Sequence, residues 1–258
     1  MLRSLTSLIF IVSSMACVSP LEPLTQDRGI PETLKMLGIQ RDHEEGSETA
    51  AHVVVIKDRH SARPGFHRVR PQLRNIQRDH RRLIAYLVTR SYGILGCEQP
   101  VGLLFENESA AKEFRIIKRH MRPLAELDEY GVFQPARFAM MWPESLAVHG
   151  VEDEELYELD RNTWETYVKA MALARRKNRS MSQRNESLKT AARALGLMDK
   201  NVHARGEAAA RNLVALMQEM GSPRGILLLG GAHIPAALTE LRRHSIAFDV
   251  FESTHYKN

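Results

Sequence analysis

Four side chains with the chemistry of ligands or proton carriers fall at comparable places in this sequence. His60 follows "VVVIKDR", Glu98 closes "GILGCE", Glu152 closes "AVHGVE" and His233 closes "ILLLGGAH". Each comes after a short aliphatic run bounded by glycine or charge, the pattern of an inner strand of a parallel sheet. Ligands of such sheets gather outside the carboxyl ends of the strands. One edge would therefore receive Asp58 and His60 from the first strand, Glu98 from the second, Glu152 from the third and His233 from the fourth. Mixed imidazole and carboxylate ligands suit zinc, manganese, cobalt or iron, and the same set could serve as general acids and bases without a metal. The spacing is not a short-range metal signature such as a histidine pair on one helix, so the argument rests on four strand ends agreeing. The plain alternatives are specific: His60 as a loop cap, Glu98 and Glu152 as partners of arginines, and His233 as a cap of the following helix.

The elements that must position these residues alternate. "HVVVIKD" reads as the first strand and is followed by a loop with Pro64 and Gly65, then a helix from about Pro71 to Arg90. "GILGCE" is the second strand. "NESAAKEFRIIKRHMRPLAELDEYG" has helical spacing, with Asn107 as its cap and Pro123 interrupting it. "ESLAVHGVE" supplies a third short strand. From Asp160 to Leu197 two helical segments joined near Ser180 read as a hairpin inserted between strands, occupying about 160–200. A further helix covers about Ala204 to Met220, "SPRG" turns the chain into "ILLLGGAH", "PAALTELRRH" is helix and "IAFDVFE" is a last strand. This order predicts an α/β fold: a mainly parallel central sheet flanked by helices on both faces, with an inserted helical hairpin.

Ahead of that domain, which spans 52–258, residues 1–17 carry one arginine, an apolar run from Leu5 to Met15 and small residues before Cys17. That is the layout of a secretory signal, and small residues before a cysteine resemble the lipobox of bacterial lipoproteins, with Ser14 where leucine is usual. The expectation is an exported chain, periplasmic or held at a membrane surface through a lipid on Cys17; the alternative is a hydrophobic amino-terminal helix of a cytosolic protein. Residues 18–51, with prolines, acidic pairs and little periodicity, read as a tether with one short helix near Pro31 to Leu37.

With 43% hydrophobic and 26% charged residues the chain is neither wholly disordered nor multi-spanning. Two cysteines, one of them in the signal, leave Cys97 without a disulfide framework, and on an apolar strand it reads as a buried small hydrophobe. The net charge of +5 and the arginines between Arg63 and Arg90 raise nucleic acid as a partner. Those arginines share a helix whose other side is Leu73, Ile76, Leu83, Ile84 and Leu87, so a solvated face, lying near anionic lipid, is the better reading and no nucleic-acid partner is expected.

The order "VVIKDRH", "GCE", "HGVEDEELY", "ARNLVALM" and "LLLGGAHIPAALTELRRHSIAFDVFE" resembles the TraB/TIKI superfamily and its relatives, among them erythromycin esterases and the haem-binding lipoprotein ChaN. It is most similar to a bacterial branch whose first motif has the form QDxH, and the likeness spans His52 to Glu252. Gly230 to His233 match the superfamily's Gly-x-x-His; Arg211 and Asn212 match its arginine-asparagine pair one helix upstream. The first motif departs, with Lys57 where many members have glycine. The TIKI-like resemblance implies a metal-dependent peptidase or esterase-like hydrolase acting on a peptide or small molecule. His60, Glu152 and His233 would then hold a divalent transition metal (Mn, Co or Zn), and Glu98, Arg211 and Asn212 would be catalytic, a glutamate taking the proton of bound water and Arg211 stabilising the oxyanion. Asp58, Gly230 and Gly231 would line the ligand. The ChaN-like resemblance implies instead haem bound through His60 or His233 without catalysis.

Overall fold

The structure is a computed structural model that describes residues 39–45, 51–59, 67–106, 108–120 and 122–256. The expected signal, the short helix near 31–37, His60 and the Asn107 cap lie outside the described residues. Seven strands form one sheet: β1 (Ile39–Glu45), β2 (His52–Asp58), β3 (Ile94–Pro100), β4 (Gly102–Leu103), β5 (Ala147–Glu152), β6 (Arg224–Gly230) and β7 (Ala247–Ser253). The helices are α1 (Pro71–Val88), α2 (Glu108–Arg119), α3 (Gln134–Met141), α4 (Glu154–Ala174), α5 (Met181–Glu219) and α6 (Ile234–Arg243).

The strand order is β1-β7-β2-β6-β3-β5-β4. Neighbours from β7 through β2, β6 and β3 to β5 run parallel, while β1 and β4 add antiparallel edges. The inner strands are apolar on both faces because both are covered. Alternation sends Val54, Ile56, Leu95 and Leu228 to one side, against Leu83, Ile84 and Leu87 of α1, Phe114 of α2 and Phe138 of α3. Val53, Val55, Leu227 and Leu229 point the other way, against Leu213, Val214 and Met217 of α5 and Ala237 and Leu241 of α6.

The connections fix where a ligand would sit. From β2 the chain passes through α1 and crosses β6 to reach β3; from β6 it passes through α6 and crosses β2 to reach β7. Adjacent strands thus send their chains to opposite faces and in opposite directions, the arrangement beside which open α/β sheets bind ligands. Asp58 and Gly230 close these two strands side by side.

The expected strands all form, and two of the expected segments differ. Residues 39–45 are strand β1 on β7, so the tether expected up to residue 51 contributes an edge of the sheet. The hairpin's second arm does not end near Leu197: α5 is one helix of 39 residues, opened by a capping box between Ser180 and Gln183. No proline stands between Leu197 and Ala204, and the roughly 1 kcal/mol that Gly196 costs relative to alanine does not stop a helix packed along α4. Helix α2 stops at Arg119, and after Pro123 the chain makes a 3-10 helix, Leu124–Glu129.

Candidate functional site

The carboxyl edge of β3, β5 and β6 gathers buried charge. At the end of β3, the backbone shifts register against β5 between Cys97 and Pro100. Gly150 permits the shift, since a Cβ there would overlap the carbonyl oxygens of Gln99 and Pro100. Glu98 sits in this irregularity and its Oε1 accepts the backbone N–H of Gly230, tying β3 to the first glycine of "GGAH".

Glu152 closes β5 and is 1% exposed. The next residue, Asp153, caps α4 by accepting the N–H of Leu156 at 3.0 Å, so the strand-to-helix turn is fixed locally. Glu152 Oε1 accepts two bonds from Arg205 on α5, from Nε at 2.8 Å and from Nη2. Arg205 also donates to Asp160 Oδ2 at 2.6 Å and lies over the Tyr157 ring at 5.8 Å. Glu152 Oε2 is buried with no hydrogen-bond partner among the described residues. Burial pushes the Glu152 carboxyl up to about 7, Glu98 and Asp160 adding to it against the pull of Arg205. Burial works against the charge on Arg205, but Glu152 and Asp160 outweigh it and hold the guanidinium protonated.

His233 stands where a helix cap would, yet makes no capping bond to α6. Its Nδ1 lies 2.9 Å from the carbonyl of Val202, so that nitrogen is the donor in this bond. Gly206 allows this approach, because a Cβ there would overlap the carbonyl oxygen of His233 where α5 crosses the start of α6. The Cδ2 edge of the imidazole faces Gly230, 3.7 Å from where a Cβ on that glycine would sit; Glu98 Oε1 is 3.0 Å from the same point. Glu98, Gly230 and His233 therefore meet, and Glu152 couples electrostatically to Glu98. At Gly231 a Cβ would come within 2.7 Å of the hydroxyl of Tyr256, so the carboxyl-terminal turn closes over the second glycine.

The other residues expected at this site have partners of their own. Asp58 shares its face with Val54 and Ile56; its carboxylate lies 3.5 Å from His80 Nδ1 on α1 and accepts its neighbour Arg59's N–H at 2.8 Å. Lys57 pairs with buried Glu252 at 3.2 Å. Arg211 is half exposed and faces Glu240 of α6 at 3.5 Å; the arginine on the buried carboxylate is Arg205. Asn212 donates to the carbonyl of Val151 at 2.9 Å and so fixes α5 to β5 beside Glu152. Its helical phase carries the signal that sequence reasoning missed: Asn201, Arg205, Ala208 and Asn212 form one stripe, and Asn201 donates to the carbonyl of Leu156 at 2.8 Å. Cys97 is buried as expected; burial, then Glu98, Glu152 and Asp58, push its thiol well above the usual range, which excludes a ready thiolate.

Among the described residues no group of three His, Cys, Asp or Glu is arranged to hold a metal ion. The chain matches no known family model, no curated protein and no solved structure.

Proposed function

We propose that the chain is a hydrolase of esters or amides in which Glu152 moves the proton. One observation carries the reading: a wholly buried carboxyl held at about 7, bonded through one oxygen to Arg205 and with the other, Oε2, left without a partner among the described residues. A group of that proton affinity is half ionised at neutral pH, so it can take a proton from water and return it to a leaving group. Glu152 Oε2 is the proton-accepting atom. Arg205 stays charged throughout and offers a fixed donor to the oxygen on which negative charge develops. Glu98 and Asn212 are positioning residues: the first holds the Gly230 turn and keeps a second negative charge near Glu152, the second holds the end of β5. Hydrolysis, rather than another proton transfer, is what the resemblance to the TraB/TIKI superfamily favours, and the apolar run and small residues before Cys17 favour an exported setting, periplasmic or lipid-anchored.

Of the three expected metal ligands His60 lies outside the described residues; among the described residues Arg205 occupies one oxygen of Glu152 and no three ligands are grouped. No step is therefore routed through a metal. The test is an NMR titration of the full chain labelled at its glutamate carboxyl carbons, with Glu152→Gln identifying the resonance. The expected midpoint is near 7, and hydrolysis of ester and amide substrates rises through the same midpoint and is lost in Glu152→Gln. A midpoint in the ordinary carboxylate range, or unchanged hydrolysis by the variant, overturns the proposal. Elemental analysis and haem addition to the same sample address the other readings. A stoichiometric transition metal whose removal abolishes activity restores the metal-dependent hydrolase, and a haem band lost in His233→Ala restores the haem binder.

A further inference from the structure

The second concentration of charge lies on the opposite face of the sheet, and it is basic. Helix α1 carries Arg74, Arg78 and Arg81 at spacings of four and three, which places them on one stripe. The 3-10 helix Leu124–Glu129 lies across that stripe, pinned by the bridge between Arg68 and Tyr130 and by two backbone bonds, Val69 N–H to Glu129 O and Gly131 N–H to His67 O, both 2.9 Å. Between them is a cavity of about 520 Å³ whose wall contains Arg68, Arg74, Arg78, Arg81 and Arg122.

Three carboxylates share this wall, and they are not equivalent. Asp128 is structural: it is buried and accepts from Arg81 at 2.9 and 3.0 Å and from the fully buried Arg137 at 2.5 Å. Among the described residues Glu126 and Glu129 make only loose, half-exposed pairs, with Arg122 at 3.9 Å and with Arg74 at 4.0 Å. Exposed pairs of that length are worth little and are readily exchanged for a better anion. Arg78 bonds Asn75 through Nη2 at 2.9 Å, while its Nε is buried with no hydrogen-bond partner among the described residues. With Arg137 counted, six guanidinium groups face three carboxylates. A guanidinium N–H with no acceptor inside an arginine-rich cavity is a donor positioned for an oxyanion.

We infer that this cavity binds a phosphate group carried on a small organic molecule or a lipid headgroup, through Arg68, Arg74, Arg78 and Arg122. Arginine's planar fork matches phosphate oxygens, and the volume exceeds what a bare phosphate fills, which leaves room for the moiety that bears it. The ring of Tyr130, with Arg122 5.5 Å from its centre, forms the wall on which that moiety would rest.

The experiment is calorimetric titration of the full chain with inorganic phosphate and with pyrophosphate at low salt, alongside flotation with vesicles of phosphatidylglycerol or of phosphatidylcholine. Saturable binding of pyrophosphate, weakened tenfold or more in Arg78→Ala and in the exposed Arg122→Ala but unchanged in Arg82→Ala, supports the site. Arg82 lies on the same helix outside the cavity wall, and Arg122→Ala removes no buried group, so a folding defect in Arg78→Ala does not decide the outcome. Flotation with phosphatidylglycerol that depends on Arg78 and Arg122, whether or not the free phosphates bind, assigns the phosphate to a lipid headgroup. No binding of any probe, binding that all three variants weaken alike, or a preference for single-stranded DNA that all three share, overturns the inference, the last two indicating only general basic charge.

Discussion

Glu152 and Asp128 are both buried carboxylates held by arginine, and they sit in opposite electrostatic company. Glu152 shares one arginine, Arg205, with Asp160 and lies near Glu98, so acids outnumber bases around it. Asp128 shares two arginines, Arg81 and Arg137, and among the described residues no second carboxylate bonds to either of them. The difference decides how each cluster relieves its excess charge. A carboxylate among carboxylates can take up a proton, and Glu152 does so near neutral pH. An arginine among arginines has no such exit, because its guanidinium does not deprotonate in proteins. The acid-rich edge is thus suited to moving protons and the arginine-rich face to holding an anion.

The largest effect should come from the cluster without an exit. Asp128→Asn leaves Arg137, wholly buried, without its countercharge, and breaking such a pair costs about 3–5 kcal/mol. The loss should be the same at pH 5 and pH 9. For a domain of about 200 residues it lowers the melting temperature by roughly 10 °C. Equal stability of wild type and variant would show that water or a bound anion already satisfies Arg137, and would undo the contrast.

Arg205→Met should cost less and depend on pH. Glu152 has a folded-state value near 7 against an ordinary 4.5. Its contribution to stability is therefore fully present below about 4.5 and lost as the pH rises through 7. Without Arg205 the folded value moves higher still, since the one lowering influence of size is gone. Below neutrality both proteins carry a protonated Glu152, and the variant loses about 1 kcal/mol of hydrogen bonding. Above neutrality the wild type ionises beside its arginine and the variant cannot, so the gap widens to about 3 kcal/mol at pH 9. Denaturant unfolding at the two pH values measures it. A gap that stays constant would mean that Glu152 is ionised throughout and that the proton-transfer role fails.

Much of this is legible in the sequence, for a reason that also explains what is not. Inner parallel strands are apolar on both faces, so "HVVVIKD", "GILGCE" and "ILLLGG" stand out and their shared polarity brings Glu98, Glu152 and His233 to one edge. The edge strand "IQRDHEE" has charged residues at most positions and takes its place only by pairing with β7, which composition does not reveal. For Asp58 the sequence points to the right edge, where it pairs in register with Gly230, and strand alternation brings its carboxylate to 3.5 Å from His80 on α1. Arg205 and Arg211 of α5 are the hardest case. A motif likeness favours Arg211 because it adjoins Asn212, but adjacent helical residues point about 100° apart, and of the two arginines only Arg205, in phase with Asn212, reaches β5.

Arg211 therefore supplies the smallest expected effect and the sharpest control. Its side chain is half exposed, and its 3.5 Å pair with Glu240 is one of several, since Arg243 and His244 reach the same carboxylate at 2.8 and 3.4 Å. Truncation to alanine should cost no more than about 0.5 kcal/mol, within the range of exposed ion pairs. It should also leave the Glu152 midpoint and its dependence on Arg205 unchanged, because the Arg211 guanidinium turns towards α6 and Glu240, away from Glu152 and Asp160. Hydrolysis by Arg211→Ala at the wild-type rate, beside its loss in Arg205→Met assayed where that variant remains folded, assigns the stabilising charge to Arg205. If Arg211→Ala instead abolished hydrolysis with stability intact, α5 would have to turn by about 100° to bring that residue inward, and the pairing of Glu152 with Arg205 would describe a resting state rather than the working one.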